Sequence, residues 1–199
     1  MLFLITGASG SGKSACIPYL KRHLPDIVIH DFDELGVPDG ANAAWRQRVT
    51  EKWILQALLY QHAGRDMMLC GGLVLGEVLA CPSAPALDAI ATCLLDCHDV
   101  ERIDRLRGQG DDRGTQDMLC WAAWQRMHAV DPRWRPDVIQ DGGVPEMQWE
   151  RWQDWQRGDP RWHVWILDTT GRPLETVAER IAAWVCAERA KRQVVEGSI

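Results

Sequence analysis

Gly7-Ala8-Ser9-Gly10-Ser11-Gly12-Lys13-Ser14 is the stretch that decides the fold of this chain. It fits the pattern G-x-x-x-x-G-K-[ST]. Its glycines and small side chains let the backbone curl so that successive N–H groups can face phosphate oxygens. Lys13 adds a positive charge, and Ser14 adds a hydroxyl that can ligate a metal ion. The stretch therefore predicts a loop that holds the phosphates of a nucleotide.

The residues on either side of the loop supply the context that this motif requires. Residues 2–6 form a short apolar run, which predicts a buried strand. Residues 13–23 predict a helix closed by Pro25, and the free N–H groups at its start favour an anion. The expected nucleotide-binding residues of the loop are Gly7, Ala8, Ser9, Gly10, Ser11, Gly12, Lys13, Ser14 and Ala15.

The rest of the chain alternates between strand and helix patterns. Further strands are predicted at 27–29, 67–70, 91–96 and 163–167, and further helices at 41–62, 74–79, 100–107 and from 173 onward. Such alternation predicts a parallel sheet with helices on both faces. The expected fold is a three-layer α/β/α domain over residues 1–199, with about five parallel strands and a helical lid or insert. The polar end, 190–199, is expected to fray.

Composition narrows the class of protein. The net charge is −6 and the pI about 5.5, which makes a nucleic-acid partner unlikely. No apolar run is long enough to span a bilayer, and the N-terminus lacks the basic start of a secretory signal, so a cytoplasmic protein is expected. The seven cysteines form no Cys-x-x-Cys pair, which favours buried reduced thiols over a zinc site.

Three further motifs follow predicted strands, and a fourth consists of the predicted helix 100–107 and the loop after it. Asp31-Phe32-Asp33, Gly71-Gly72 and Asp168-Thr169-Thr170-Gly171 each stand where a strand ends. Because ligands bind at the carboxyl ends of parallel strands, we expect these motifs near the phosphate loop. Residues 98–116 carry three glycines and the arginines Arg102, Arg105, Arg107 and Arg113.

With these motifs the chain resembles the small P-loop kinases of metabolites and antibiotics, such as shikimate kinase, gluconate kinase and chloramphenicol phosphotransferase. The resemblance covers the order of elements across most of the chain, and its sharp matches are confined to the motifs above. It implies transfer of the γ-phosphate of ATP to a hydroxyl of a small molecule, with Mg²⁺ as cofactor. A P-loop NTPase, or a nucleotide-switched module that binds a protein, is the alternative.

The resemblance also implies roles for the acceptor side. Asp33 would accept the proton of the acceptor hydroxyl, and Asp31 would help Ser14 to hold Mg²⁺, although the reverse assignment of the two aspartates stays open. They could equally form a helix N-cap with solvated acids. Gly71 and Gly72 would let the substrate approach the backbone. Many P-loop proteins have a magnesium-binding Asp at this strand end, and here there is none.

Lys13, Arg105 and Arg113 are the expected cationic catalytic residues. The resemblance implies that 98–116 is a lid whose arginines, Arg105 and Arg113 above all, meet the transferring phosphoryl group. Alternatively, neighbouring acids pair those arginines on a solvated helix face. Thr170 is expected to bind the nucleotide, since the loop after the last strand lies near the adenine in kinases of this type.

Eleven tryptophans are an unusual number for a chain of 199 residues. Many fall in a segment, 116–160, that we expect to be helical and that is least like the kinases named above. They could wall an acceptor pocket, form the contact of a homodimer, or pack helices onto the sheet.

Overall fold

A computed structural model describes residues 1–196, and the side chains of residues 1–192. Its five strands form one sheet in the order β2-β3-β1-β4-β5, and every neighbouring pair is parallel. The strands are β1 (Leu2–Thr6), β2 (Val28–Asp31), β3 (Met67–Gly71), β4 (Ile90–Asp96) and β5 (Val164–Asp168). The predicted α/β class is thus confirmed.

Seven α-helices connect or follow the strands within the described residues. They are α1 (Lys13–His23), α2 (Ala43–His62), α3 (Leu75–Ala80), α4 (Asp99–Gly108), α5 (Gln116–Val130), α6 (Asp137–Gln140) and α7 (Leu174–Glu196). Short 3₁₀ helices cover Phe32–Leu35, Ala84–Ala86 and Trp149–Arg151. The prediction that the chain frays from residue 190 is wrong as far as residue 196, because α7 continues there; residues 197–199 lie outside the described residues.

Helices cover both faces of the sheet because the side chains of a strand alternate between them. In β1, Phe3 and Ile5 pack toward α1 and α7, whereas Leu2 and Leu4 pack toward α2 and α3. All five residues of β1 are buried, as expected for a central parallel strand. The carboxyl ends of β1, β2 and β3 consequently lie side by side, with Thr6 in register with Gly71.

The tryptophan-rich segment, 116–160, is helical mainly in its first third. It contains α5, the single turn of α6 and a short 3₁₀ helix, and the rest is irregular. Trp124, Trp152 and Trp162 form a buried cluster with residues of α3 and α6, so packing onto the fold accounts for these rings. No helix within residues 1–196 is long and apolar enough to cross a membrane.

Candidate active site

The phosphate loop curls in the way that its glycines predict. Gly7, Gly10 and Gly12 have φ angles of +153°, +77° and +96°, a range that L side chains rarely adopt. A Cβ atom on Gly7 would also lie 2.5 Å from the carbonyl oxygen of Leu95, and one on Gly10 would lie 2.9 Å from that of Arg102. Both backbone shape and lack of space therefore require glycine at these two positions.

The first turn of α1 is suited to an anion. Its N-cap is Gly12, which offers no side-chain acceptor, and no acidic residue stands in the first turn. The free N–H groups and the positive end of the helix dipole are thus left for a ligand. Lys13 is half-buried beside them, with its Nζ 3.5 Å from the carbonyl oxygen of Ala8. The pKa of the Lys13 ammonium is lower than its ordinary value because burial disfavours the charged form. The charges of Asp31 and Asp33 oppose this shift but do not cancel it.

Side chains of α4 and of the segment after β5 bond to carbonyl oxygens of the loop. Arg102 donates to the carbonyl oxygen of Ser9 at 3.0 Å, and Arg105 donates to that of Gly10 at 3.2 Å. The Thr169 hydroxyl lies 3.1 Å from the carbonyl oxygen of Ser11. These bonds fix the loop against α4 and the end of β5.

A cleft of about 340 Å³ opens in front of the loop. Twelve residues of the predicted site line it: Ser9, Gly10, Gly12, Lys13, Ser14, Ala15, Asp31, Asp33, Gly71, Gly72, Arg105 and Arg113. Motifs from four separate parts of the sequence thus meet in one cavity.

Other predicted site residues do not line the cleft. Gly7, Ala8 and Ser11 are buried in the loop itself. The Thr170 hydroxyl is 2.6 Å from a carboxylate oxygen of Asp168 and accepts from the backbone N–H of His98. Thr170 therefore ties the end of β5 to the start of α4.

Four residues that line the cleft were not predicted from the sequence: Leu106, Gln109, Arg172 and Leu174. Gln109 lies in the predicted lid, and Arg172 directly follows the Asp168–Gly171 motif, so proximity to those motifs could have indicated both. The two leucines belong to amphipathic helices, whose pattern does not tell which apolar residue borders a cavity. The buried Thr169, which supports the loop, was missed as well.

Asp31 and Asp33 line the same cleft as the phosphate loop. Asp31 is the N-cap of the 3₁₀ helix, since its carboxylate accepts from the backbone N–H of Asp33 at 3.0 Å and Glu34 completes a capping box. The capping alternative is thus realised for Asp31, although the residue also lines the cleft. Asp33 lies at the protein surface, but neighbouring atoms partly desolvate its carboxyl, and this desolvation together with the charge of Asp31 raises the pKa of that carboxyl.

The two glycines after β3 differ in their surroundings. A Cβ atom on Gly71 would lie 2.4 Å from the Cβ of Phe32, so glycine is needed there for packing. A Cβ atom on Gly72 would meet no atom within 4 Å. Of the pair, Gly72 is the one at which an approaching molecule would find open space.

The four arginines of 98–116 have different roles in the fold. Arg102 is fully buried and pairs with Asp96 at 2.6 Å, so it is a structural residue and cannot serve as a lid arginine. Arg105 lines the cleft, but its guanidinium already donates to Gly10, Thr169 and Glu101. Arg107 is exposed and does not line the cleft.

Arg113 is about two-thirds exposed and lines the cleft. It pairs with Asp111.

No tryptophan is among the residues that line this cleft. The hypothesis that the tryptophans of segment 116–160 wall the acceptor pocket therefore finds no support in this cavity.

The amino-acid sequence that forms this site matches a known protein family. The model of the AAA domain matches residues 4–128, which is more than half of the 199 residues. The chain belongs to the AAA domain family. The matched range includes the phosphate loop, both aspartates, the glycine pair and the arginines of α4.

Two solved structures have a similar fold. A sugar kinase from Janibacter sp. is similar with a TM-score of 0.56 at 14% identity, over 92% of this chain and 93% of that chain. The tunicamycin resistance protein of Deinococcus radiodurans gives a TM-score of 0.55 at 16% identity, over 92% and 94% of the two chains. A search of curated proteins by sequence gave no significant match. The predicted resemblance to small P-loop kinases is thereby confirmed at the level of the fold.

Proposed function

We propose that this protein is an ATP-dependent kinase that transfers the γ-phosphate of ATP to a hydroxyl group of a small molecule. The observation that carries this proposal is the make-up of the cleft. The anion site formed by Lys13 and the start of α1 lines the same cavity as Asp33, a carboxylate with a raised pKa. Phosphoryl transfer needs chiefly the positioning and charge neutralisation that such a cleft can supply.

The loop side of the cleft would bind the triphosphate. Backbone N–H groups of the loop and of the first turn of α1 would donate to phosphate oxygens, and Lys13 would neutralise charge on the β- and γ-phosphates. The Ser14 hydroxyl and the Asp31 carboxylate line the same cavity and are oxygen ligands of the kind that Mg²⁺ prefers. A bound Mg²⁺ would neutralise phosphate charge and orient the triphosphate.

The acceptor would lie between Asp33 and Gly72. A raised carboxyl pKa makes Asp33 a better proton acceptor than an ordinary surface aspartate, provided that it is ionised at the working pH. The open space beside Gly72 allows the acceptor to reach the backbone. Asp33 would orient the attacking hydroxyl and take its proton as the new P–O bond forms and ADP leaves.

Arg105 and Arg113, two of the three arginines that line the cleft, would act differently. Because the guanidinium of Arg105 is already bound to the backbone of Gly10 and Thr169, we assign it to fixing the shape of the loop. Arg113 is exposed at the mouth of the cleft, and its charge lowers the pKa of both Lys13 and Asp33. It is therefore suited to stabilising charge on the transferring phosphoryl group.

The proposal is tested by ADP release from ATP and Mg²⁺, measured alone and with a panel of sugars, nucleosides and hydroxylated antibiotics. The wild-type protein should release ADP slowly alone and much faster with one acceptor class. Lys13→Ala should abolish productive ATP binding, whereas Lys52→Ala, at an exposed position of α2, should not.

Asp33→Asn separates a kinase from a nucleotide-switched module. This variant should keep ATP affinity, measured by calorimetry, and lose several orders of magnitude in phosphoryl transfer. Tight ATP binding with no acceptor that stimulates turnover, and with no effect of Asp33→Asn, would contradict the kinase assignment.

A further inference from the structure

The loop between α4 and α5 holds Arg113 in one conformation through a single carboxylate. Asp111 Oδ1 accepts from the backbone N–H of Arg113 at 2.9 Å and from its Nε at 2.9 Å. Asp111 Oδ2 accepts from Nε at 2.8 Å and also from Nη2. Backbone and guanidinium of Arg113 are thus fixed by the same side chain, two residues earlier in the chain.

The remaining end of the guanidinium is available to a ligand. Within residues 1–192, no group accepts a hydrogen bond from Nη1 of Arg113. Arg113 lines the cleft, and its charge lowers the pKa of Lys13 and of Asp33. The guanidinium of Arg113 is therefore close enough to Lys13 and Asp33 for its charge to act on both.

We propose that Asp111 is a positioning residue that presets Arg113 for the transferring phosphoryl group. This inference rests on the proposed kinase function. An arginine side chain loses much rotational freedom when it binds, and a partner that has already restricted it removes that cost from the reaction. An ion pair whose arginine is about two-thirds exposed is expected to contribute little to folding, so stability alone does not explain this pair.

The same local geometry occurs at a second place, away from the cleft. Asp159 accepts from the backbone N–H of Arg161 at 2.9 Å, from its Nε at 3.0 Å and from its Nη2 at 2.7 Å. Arg161 lies over the ring of Trp155, and neither member of this pair lines the cleft. The Asp159–Arg161 pair can therefore serve as a control, because it has the same three hydrogen-bond donors as Asp111–Arg113 but does not line the cleft.

The test compares ADP release from ATP and Mg²⁺ by wild type, Asp111→Ala, Asp111→Asn, Arg113→Ala and the Asp111→Ala/Arg113→Ala double variant. Asp111→Ala should lower kcat about tenfold with little change in KM for ATP and in Tm. Asp111→Asn, which keeps an acceptor for the backbone N–H, should lose less. The double variant should be no slower than Arg113→Ala, because the two residues act as one unit. Asp159→Ala should match wild type.

Several outcomes would overturn the inference. Wild-type kcat in Asp111→Ala beside a slow Arg113→Ala would remove the role of Asp111 and leave the kinase assignment intact. A faster Asp111→Ala would mean that Asp111 restrains Arg113 instead of presetting it. No ADP release from wild type under any condition would defeat the kinase function and this inference with it.

A second readout does not depend on turnover. The NMR signal of the Arg113 Nε–H should exchange slowly with water in wild type, in the absence of nucleotide, and rapidly in Asp111→Ala. An identical exchange rate in the two proteins would show that Asp111 does not hold the guanidinium, whatever the kinetics.

Discussion

Gly71 and Gly72 are adjacent in the chain, but different neighbours surround them. Gly71 is pressed against Phe32, whose ring belongs to the apolar cluster between the sheet and α2. Gly72 borders open space in the cleft. The sequence shows two equivalent glycines at a strand end, and only the packing distinguishes a structural position from one that faces a ligand.

Alanine substitutions should separate the two glycines. We expect Gly71→Ala to destabilise the fold by about 1–3 kcal/mol, because the new methyl group would overlap Phe32. Gly72→Ala should leave thermal unfolding nearly unchanged and weaken binding of the acceptor. Calorimetric melting and the KM for the acceptor are the measurements, and equal melting temperatures for the two variants would contradict the packing argument.

The raised pKa of Asp33 makes a prediction about pH. A carboxyl whose pKa is higher in the folded protein stabilises the fold while it is protonated, and that contribution is lost as pH rises through the folded pKa. At pH 7 the ionised Asp33 is therefore unfavourable for folding, and Asp33→Asn should melt at a slightly higher temperature than wild type.

This gain should vanish at a pH below the ordinary aspartate pKa of about 3.9. Activity should follow the opposite course, with kcat/KM of wild type falling as pH is lowered through the raised pKa. A lower melting temperature for Asp33→Asn at pH 7 would show that the carboxylate is needed for structure.

At the scale of elements, α4 supports the phosphate loop. Its buried Arg102 bridges Asp96, at the end of β4, and the carbonyl oxygen of Ser9. Its neighbour Arg105 joins the loop to the end of β5 through Thr169. A helix that sequence analysis assigns to a lid thus carries one face that is part of the core, because residues three apart on a helix share a face.

Removing the buried arginine should therefore affect both stability and nucleotide binding. Arg102→Met should cost about 3 kcal/mol, since it leaves Asp96 with Arg126 as its remaining partner and frees the Ser9 carbonyl. ATP affinity should fall as the loop loosens. Arg107→Met, at an exposed position of α4, should stay within about 0.5 kcal/mol of wild type. Denaturant unfolding and calorimetry with ATP provide both readouts.

At the scale of the whole molecule, the tryptophan-rich segment, 116–160, adds a second cluster of buried side chains to those that pack against the sheet. His128 of α5 lies in its centre, stacked on Trp124 at 4.5 Å and edge-on to Trp152 and Trp162. Burial lowers the pKa of His128 to about 4. The imidazole is consequently neutral at pH 7.

The buried histidine should make the fold sensitive to acid. A His whose pKa is lower in the folded state contributes its full stability above the unfolded pKa of about 6.5 and loses it as pH falls toward about 4. The loss should amount to about 3 kcal/mol over that interval. His128→Phe should reduce the difference in melting temperature between pH 7 and pH 4.5, whereas His62→Gln, on the surface of α2, should not. An unchanged difference in His128→Phe would contradict this account.

Local patterns predicted most of the fold because they depend on near neighbours. The apolar run of β1, the glycines of the loop and the start of α1 are coded within residues 2–23, and the structure follows them closely. Predicted strands and helices elsewhere agree to within a few residues for the same reason. The irregular second half of 116–160 was less predictable, because its tryptophans are ordered by contacts with α3 and α6.

The sequence by itself determined a phosphate loop between a buried strand and a helix, since backbone shape and charge there are set by eight consecutive residues. Only the tertiary structure decided which other groups meet it. In the folded protein Arg102 is buried in the core, Thr170 lies outside the cleft, and Arg172 lines the cleft. The physical reason is that a helix or loop has several faces, and which one borders the cavity depends on packing between segments that are far apart in the chain.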